Sequence, residues 1–326
     1  MIILSTQEMA TLLPMEKAID LVAKALISAS SGKAKLPLRH AMEVEAPNML
    51  GIMPGVMDDP ACFGIKLISL YPNNPAHGYS SHLGLMLLFE KQHGTPIAMM
   101  NAGLLTAIRT SAASAVATNL LARKDASVLT VIGCGEQAEF HIHAMLAVRS
   151  IKEVRVVGRC EDKLEIFVAK MRENHAGIGF YSSTNAQEVV RGTDIICTVT
   201  SSKEVVLKGA WIDEGCHINA VGASIPIMRE IDEDVVAMSS LYVDYRPSAF
   251  AQSGDILGAI ETGRITKDHV IGEIGELLEN KVRGRETQQE ITLFRSLGIA
   301  SEDLICAHSI LEAAKREGMG TVADIL

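Results

Sequence analysis

The distribution of hydrophobic and polar positions changes character near residue 128. From there on, short apolar runs rich in β-branched residues alternate with stretches of helical periodicity; the runs lie at 128–132, 153–159, 193–200, 217–221 and 241–244. Such alternation is typical of parallel strands joined by helical crossovers. It predicts an α/β fold, with a Rossmann-type, doubly wound parallel sheet that carries helices on both faces.

The first hundred residues follow a different pattern. A helix capped by Ser5 or Thr6 and continuing over 15–29 is predicted first, and then five segments of alternating polarity at 36–44, 51–57, 62–70, 83–90 and 96–101. Turn residues separate these segments, which predicts a meander or mixed sheet, hence an α+β region. A helix over 106–121 follows, and its many small side chains permit close backbone approach. We expect this helix at a domain junction.

A glycine turn directly follows the first of the later strands. It reads Gly133-Cys134-Gly135-Glu136-Gln137-Ala138. Gly133 permits a tight turn, Gly135 allows a pyrophosphate to approach the backbone, and Ala138 allows close packing of helix on strand. Because a strand precedes the turn and a second strand follows at the expected spacing, we predict a dinucleotide site rather than an ordinary glycine turn.

The end of the second strand bears on the choice of dinucleotide. NAD-specific folds usually place an acidic residue there, whereas this chain has Gly158-Arg159. A guanidinium suits the 2′-phosphate of NADPH better than a neutral diol. We therefore expect NADPH, with NADH as a possible second cofactor. Two alternatives remain open: Arg159 is a solvated loop residue, or Glu161 or Asp162 reaches the ribose.

Composition excludes several other classes of protein. The 326 residues include 48% hydrophobic and only 4% aromatic residues, so the core must be aliphatic. A net charge of −9 argues against a nucleic-acid or anionic-membrane partner. The six cysteines show no C-x-x-C spacing, and neither a metal site nor a disulfide framework is predicted. The N-terminus does not resemble a signal peptide, and a cytoplasmic location is expected.

Several segments together resemble the ornithine cyclodeaminase/mu-crystallin family. They are 104–110, the glycine turn at 133–138, 220–226 with Arg229-Glu230, Ser253-Gly254-Asp255, and 292–300 with Glu302-Asp303. The resemblance implies a substrate and dimerisation domain formed by residues 1–112 with 296–326, around a Rossmann domain of residues 113–295. It also implies a homodimer and a small α-amino or α-imino acid substrate.

Three basic residues match the family positions that hold the substrate carboxylate: Arg39, Lys66 and Arg109. By period-2 alternation Lys66 shares a face with Gly64, Ile68 and Leu70, so it needs an anionic partner or an edge position. A surface lysine with an apolar stem is the alternative. Ser81-His82 resembles the pair beside the cofactor in the mu-crystallin branch, although an isolated histidine is often structural. Arg109 and Thr110 are also expected at the cofactor.

One departure from the family pattern decides the expected chemistry. The cyclodeaminase branch has G-G-D-x-P-G-K where this chain reads Gly-Ala-Ser-Ile-Pro-Ile-Met, so Ser224 replaces the aspartate. A serine hydroxyl is a poor base near neutral pH without an activating partner, which makes loss of ammonia doubtful. The segment is instead similar to that of mu-crystallin and the ketimine reductases.

The sequence therefore predicts an NAD(P)H-dependent ketimine reductase. The first-choice substrate is 1-pyrroline-2-carboxylate, giving L-proline, and 1-piperideine-2-carboxylate is the second. We expect the nicotinamide near Thr200, Ser201, Val221 and Ser296, and a proton from Lys66, with Ser224 orienting a water. The alternatives are an ornithine cyclodeaminase, an amino-acid or opine-type dehydrogenase, and a non-catalytic ligand-binding protein like a crystallin.

Overall fold

The computed structural model describes residues 1–324. Its strands and helices in chain order are β1 (Ile2–Ile3), α1 (Thr6–Leu12), α2 (Met15–Ser30), β2 (Ala34–Lys35), β3 (His40–Glu45), β4 (Asn48–Met57), β5 (Cys62–Leu70), β6 (His82–Glu90), β7 (Pro96–Asn101), α3 (Ala102–Leu121), β8 (Val128–Ile132), α4 (Glu136–Val148), β9 (Glu153–Val157), α5 (Glu161–Asn174), β10 (Gly179–Ser183), α6 (Ala186–Val190), β11 (Ile195–Thr198), β12 (His217–Ala220), α7 (Glu233–Met238), β13 (Ser240–Val243), α8 (Arg246–Gln252), α9 (Gly254–Glu261), β14 (Val270–Glu273), α10 (Ile274–Leu278), β15 (Thr292–Arg295), α11 (Ala300–Glu317) and β16 (Thr321–Val322). Over residues 1–324, no helix has both the length and the apolar character needed to cross a bilayer.

The chain divides into two compact units. The first comprises Met1–Thr110 with Gly298–Leu326, and the second comprises Ser111–Leu297. The boundaries predicted from the sequence, 112/113 and 295/296, each differ from these by two residues. Helix α3 contains the first boundary, since it runs from Ala102 to Leu121.

The first unit is built on a mixed sheet in the order β16-β1-β7-β6-β5-β4-β2, with β3 also paired to β4. Strands β4 to β7 form an antiparallel meander. Side chains alternate along β5, so Cys62, Gly64, Lys66 and Ile68 are buried. Helix α11 packs against β4, β5 and α2. The predicted face of Lys66 is therefore an interior face of this unit.

Two of the predicted elements in this unit are wrong in detail. Ser5 does cap a helix, through a capping box with Glu8, but that helix is α1, and α2 starts separately after Pro14. The segment 36–44 is not one strand: β2 ends at Lys35 and β3 begins at His40. Pro37 lacks the N–H that a strand ladder needs, which accounts for the break. Arg39 consequently lies in a connecting segment.

The second unit contains a parallel sheet in the order β10-β9-β8-β11-β12-β15-β13-β14. The chain proceeds from β8 outward to β10 and then returns to β11, on the other side of β8. The strand order thus changes direction between β8 and β11, and open α/β sheets bind ligands at the carboxyl ends of strands beside such a point. Isoleucine, valine and leucine side chains dominate the buried core, as the composition predicted.

Strand β15 was not among the predicted strands. It lies between β12 and β13, and all four of its residues are buried. Its last residue, Arg295, is fully buried, and Nε lies 2.8 Å from Oδ2 of Asp255. An arginine in a central strand violates the apolar pattern expected there, and the ion pair is what permits its burial.

Candidate active site

A buried cluster of opposite charges lies in the first unit, between β5, α3 and α11. Lys66 Nζ donates to Oδ1 of Asp303 at 3.0 Å, and Arg109 Nε donates to the same oxygen at 2.9 Å. Arg109 Nη1 also donates to Oε2 of Glu302 at 2.8 Å. All four residues are at most 4% exposed. Lys66 and Arg109 therefore each have an internal carboxylate partner.

The position of the two carboxylates follows from the start of α11. Glu302 and Asp303 lie in the first turn of this helix, where the unsatisfied N–H groups and the helix dipole favour negative charge. Helix α11 packs on the sheet, which brings its first turn to Lys66 on β5. The carboxylates are thus stabilised both by the helix and by the cations.

Burial sets the ionisation of this cluster. Desolvation, followed by the charge of Arg109, lowers the pKa of Lys66 to about 8, although Asp303 opposes the shift and Arg39 adds to it. For Arg109, desolvation is outweighed by Asp303 and Glu302, and the pKa of the guanidinium is raised. Lys66 is therefore a group that can exchange a proton near neutral pH, whereas Arg109 is a permanent charge.

The remaining predicted residues of the first unit lie on surfaces that solvent reaches, apart from Thr110, which is buried in α3. Arg39 is half-buried, and its charge acts on Lys66. His82 is exposed at the start of β6, and its Nδ1 lies 2.8 Å from Oγ of Ser81. Although His82 is exposed, the surrounding protein and then Lys66 lower the pKa of its imidazole. Arg39 and His82 therefore both interact electrostatically with Lys66.

The glycine turn of the second unit has the form that a dinucleotide pyrophosphate requires. Gly133 has φ +126°, and a Cβ there would lie 2.7 Å from the carbonyl oxygen of Val199. Gly135 caps the start of α4, and a Cβ there would have no atom within 4 Å. Cys134 is half-buried, Glu136 is exposed and Gln137 is half-buried. The open surface above Gly135, next to a helix N-terminus, fits a phosphate group.

Arg159 lies two residues beyond β9, and its side chain is exposed. No hydrogen bond or ion pair joins it to another residue within 1–324. Burial raises the pKa of the Cys134 thiol in this turn, and the positive charge of Lys163, in the next helix, partly opposes the rise. Lys163 is thus close enough to act electrostatically on the turn. Two cations are therefore available near the place where the adenosine ribose binds in such folds.

The residues predicted to contact the nicotinamide follow β11, β12 and β15. Thr200 and Ser201 follow β11, Val221 follows β12, and Ser296 follows β15. Ser296 is 1% exposed, and its Oγ has no hydrogen-bond partner among the described residues. A buried hydroxyl without a partner at this edge fits a polar group of a bound cofactor. Ser224 is half-buried in the loop beyond β12.

Three site residues carried no role in the sequence prediction: Glu230, Glu302 and Asp303. Each lies within a segment that carries the family resemblance, which was the available signal. All three are buried carboxylates, and Glu230 contacts the loops beyond β11 and β12. Within residues 1–324 no cluster of histidine, cysteine and acidic side chains could hold a metal ion.

Comparison with known proteins gives a consistent picture. Residues 1–318 match the model of the ornithine cyclodeaminase/mu-crystallin family. A Delta(1)-pyrroline-2-carboxylate reductase of Bacillus cereus is 33% identical over 322 residues, which cover 98% of each chain. The structure of a Thermococcus litoralis Delta(1)-pyrroline-2-carboxylate reductase, in complex with NADH and L-proline, superposes with a TM-score of 0.96 at 37% identity and covers 99% of this chain and 100% of that one.

A second solved structure is an archaeal alanine dehydrogenase dimer with bound NAD. It is 33% identical, with a TM-score of 0.92, and the match covers 100% of this chain and 99% of that one. Likeness at this level extends over both units of the chain rather than over the nucleotide-binding unit alone. On this evidence the chain belongs to the ornithine cyclodeaminase/mu-crystallin family.

Proposed function

We propose that this protein is an NAD(P)H-dependent reductase of cyclic ketimine carboxylates, with 1-pyrroline-2-carboxylate as the preferred substrate and L-proline as its product. The observation that carries the proposal is the buried cation pair, Lys66 and Arg109, in a chain that resembles such a reductase over 99% of its length. The bound L-proline in that relative favours the five-membered ring over 1-piperideine-2-carboxylate.

The residues of the first unit supply binding and a proton. Arg39 and Arg109 attract the substrate carboxylate, and Lys66 contributes a third positive charge. Because Lys66 has a pKa of about 8, it can also donate the proton that the imine nitrogen needs, with Ser224 orienting a water. Asp303 holds Lys66 and Arg109 in place. The bound nicotinamide dinucleotide supplies the hydride that reduces the C=N bond.

The second unit holds the cofactor in this proposal. Gly133, Gly135 and the start of α4 accommodate the pyrophosphate, and Ser81, His82 and Thr110 of the first unit are assigned to the cofactor by family resemblance. Arg159 favours NADPH, whereas the two solved relatives contain NADH and NAD. Because of Arg159 we keep NADPH as the expected cofactor, and because of the two relatives we keep NADH as a second one. A cytoplasmic location stays a prediction.

The experiment combines the purified protein with NADPH or NADH and a panel of substrates, and follows absorbance at the nicotinamide band. Oxidation of NAD(P)H by 1-pyrroline-2-carboxylate with formation of L-proline is expected. Stoichiometric release of ammonia from ornithine with catalytic NAD would identify a cyclodeaminase, and so contradict the argument from Ser224. No turnover with any imine would favour the ligand-binding alternative.

A second candidate is an amino-acid dehydrogenase. Its support is the alanine dehydrogenase relative at 33% identity over the whole chain. The two reactions differ in one reactant, since a dehydrogenase must combine a keto acid with free ammonia before reduction. Pyruvate with ammonia is thus the discriminating member of the panel, and faster turnover with it than with the cyclic imine would make this candidate the better one.

We also propose that the protein forms a homodimer through the uncovered face of the first sheet. The face opposite Lys66 has a block of apolar side chains, all exposed or half-buried, on three adjacent strands: Ile52, Pro54, Val56, Phe63, Ile65, Leu67, Leu85, Leu87 and Phe89. Phe63 and Phe89 stack with ring centroids 5.0 Å apart. A contiguous apolar patch of this kind marks an interface, and the dimeric relative supports a second copy as its occupant.

A further inference from the structure

A buried carboxylate connects two loops at the carboxyl edge of the second sheet. Oε1 of Glu230 accepts from the N–H and hydroxyl of Thr200, at 2.6 and 2.7 Å. Oε2 accepts from the hydroxyl of Thr198 at 2.9 Å and from the N–H of Gly222 at 2.6 Å. Each oxygen thus holds one main-chain N–H and one hydroxyl. Glu230 is fully buried, so it does not itself reach a ligand.

The two loops leave neighbouring parallel strands. Thr198 is the last residue of β11, Thr200 lies two residues further on, and Gly222 lies two residues beyond the end of β12. Their approach is close: a Cβ on Gly222 would clash with the carbonyl oxygen of Thr200 and would lie 2.6 Å from Oε1 of Glu230. Only glycine therefore fits between the first loop and the carboxylate.

The main chain at Glu230 is held by a buried ion pair between Asp255 and Arg295. Its N–H donates to Oδ1 of Asp255 at 2.9 Å, and Oδ2 of Asp255 lies 2.8 Å from Nε of Arg295. Arg295 Nη1 then donates to the carbonyl oxygen of Ala220 at 2.6 Å. Ala220 is the last residue of β12, and the loop that contains Gly222 begins directly after it. The buried network of Glu230, Asp255 and Arg295 therefore also contacts the strand end that precedes this loop.

The strand order assigns these loops to one half of a dinucleotide. Arg159 follows β9 and the glycine turn follows β8, so an extended dinucleotide with its adenosine at β9 and its pyrophosphate at β8 continues towards β11 and β12. The nicotinamide half is then the part nearest the Thr200 and Gly222 loops. The adenosine half has no contact with Glu230 or its donors in this arrangement.

We propose that Glu230 is a positioning residue for the nicotinamide half of the cofactor. By holding the Thr200 and Gly222 loops in one fixed relation, it shapes the surface on which the nicotinamide is oriented, and it leaves binding of the adenosine half unaffected. The inference rests on the proposed function, because it requires that a nicotinamide dinucleotide binds along this edge.

The test is the isosteric variant Glu230→Gln. An amide has one accepting oxygen and one donating nitrogen, so whichever way it is placed, the N–H of Thr200 or that of Gly222 faces another donor. Titration calorimetry should show that NADPH binds about tenfold or more weakly, the effect of about one lost hydrogen bond to a charged group. ADP-ribose 2′-phosphate, which lacks nicotinamide, should bind the variant as it binds the wild type. In turnover, kcat should fall more than KM for the imine rises.

The matched control is Glu273→Gln. Glu273 is another buried glutamate of the second unit, 5% exposed, at the start of α10. This variant should lose stability without distinguishing the two ligands. Equal weakening of NADPH and ADP-ribose 2′-phosphate by Glu230→Gln, or no change in either, would overturn the proposal. If Glu230→Gln does not fold, Thr198→Val decides, because Thr198 is fully buried and its hydroxyl donates to the same carboxylate. A smaller loss confined to NADPH supports the proposal, whereas no such difference refutes it.

Failure of the wild type to bind NADPH or NADH would be a different result. It would refute the proposed cofactor itself, and this inference with it. Binding by the wild type with no selective loss in either variant would refute the role of Glu230 alone.

Discussion

Nζ of Lys66 lies 3.0 Å from Oδ1 and 2.9 Å from Oδ2 of Asp303, and each residue is 1% exposed. Arg109 shares the same carboxylate through Nε. One aspartate on α11 therefore offsets part of the charge of Lys66 and Arg109, the two cations to which we assign binding of the substrate carboxylate. A substrate carboxylate joins this arrangement as an additional anion rather than as the first counter-charge.

Removal of the Asp303 charge should destabilise the protein strongly. In Asp303→Asn, two buried cations lose a shared partner, and breaking a buried ion pair from one side costs about 3–5 kcal/mol of unfolding free energy. Urea denaturation measures the change. Asp58→Asn is the control, because Asp58 pairs with Lys91 on the surface and its loss should barely move the midpoint. A loss below about 1 kcal/mol in Asp303→Asn would contradict the assigned pairing.

The reduction should depend on the protonation of Lys66. If Lys66 donates the proton, log(kcat/KM) for the imine should fall with unit slope as pH rises through about 8, because only the ammonium form is active. Lys66→Arg keeps the charge at all accessible pH values and should remove this descending limb while it lowers the rate. An unchanged limb in Lys66→Arg would mean that the proton comes from another group or from solvent.

Arg159 should discriminate between the two cofactors. Its side chain is exposed and has no partner within residues 1–324, so it is available for a 2′-phosphate. Arg159→Ala should raise KM for NADPH roughly tenfold, about 1.4 kcal/mol, and leave KM for NADH nearly unchanged. Steady-state kinetics with both cofactors provide the comparison. Equal weakening of both would make Arg159 structural and direct attention to Glu161, Asp162 or Lys163.

A charge on the apolar sheet face should weaken the proposed dimer. Leu85 is 45% exposed in β6, and Leu85→Glu replaces an apolar contact that a two-fold interface uses twice, at about 1.5–3 kcal/mol for each copy. Light scattering after size exclusion should show a shift towards monomer at low protein concentration. Ile166→Glu, at an exposed position on α5, is the matched control and should leave the mass unchanged. An unaltered dimer in Leu85→Glu would place the interface elsewhere.

Local pattern was sufficient for some of these features. Alternation along β5 put Lys66 on the same face as Gly64 and Ile68, and it left an anionic partner, an edge position and a surface position open. The structure buries this face, so the anionic partner is the alternative that applies. The identity of that partner did not follow, because Asp303 is 237 residues away along the chain and only the packing of α11 on the sheet brings it there. Sequence periodicity predicts which face of an element a residue occupies, but it does not predict contacts between elements that are distant along the chain.

Strand β15 shows the complementary failure. Its four residues end in Arg295, so the segment lacks the uniform apolar character of a central parallel strand. The ion pair with Asp255 compensates the buried charge of Arg295, but that pair exists only in the folded chain. The same reasoning applies to Glu230, whose four donors belong to Thr198, Thr200 and Gly222. Of these three residues the sequence singled out only Thr200, as a cofactor contact.

The late position of β15 and α11 in the chain has a consequence for biosynthesis. The second sheet is interrupted between β12 and β13 until residues 292–295 are available, and the sheet of the first unit lacks its covering helix until residues 300–317 are available. Both units thus depend on contacts of high sequence separation, which form slowly and leave apolar surface exposed meanwhile. During translation, the second unit should not resist proteolysis until residues 292–295 have emerged, nor the first unit until residues 300–317 have emerged. Pulse-proteolysis of stalled nascent chains would measure this.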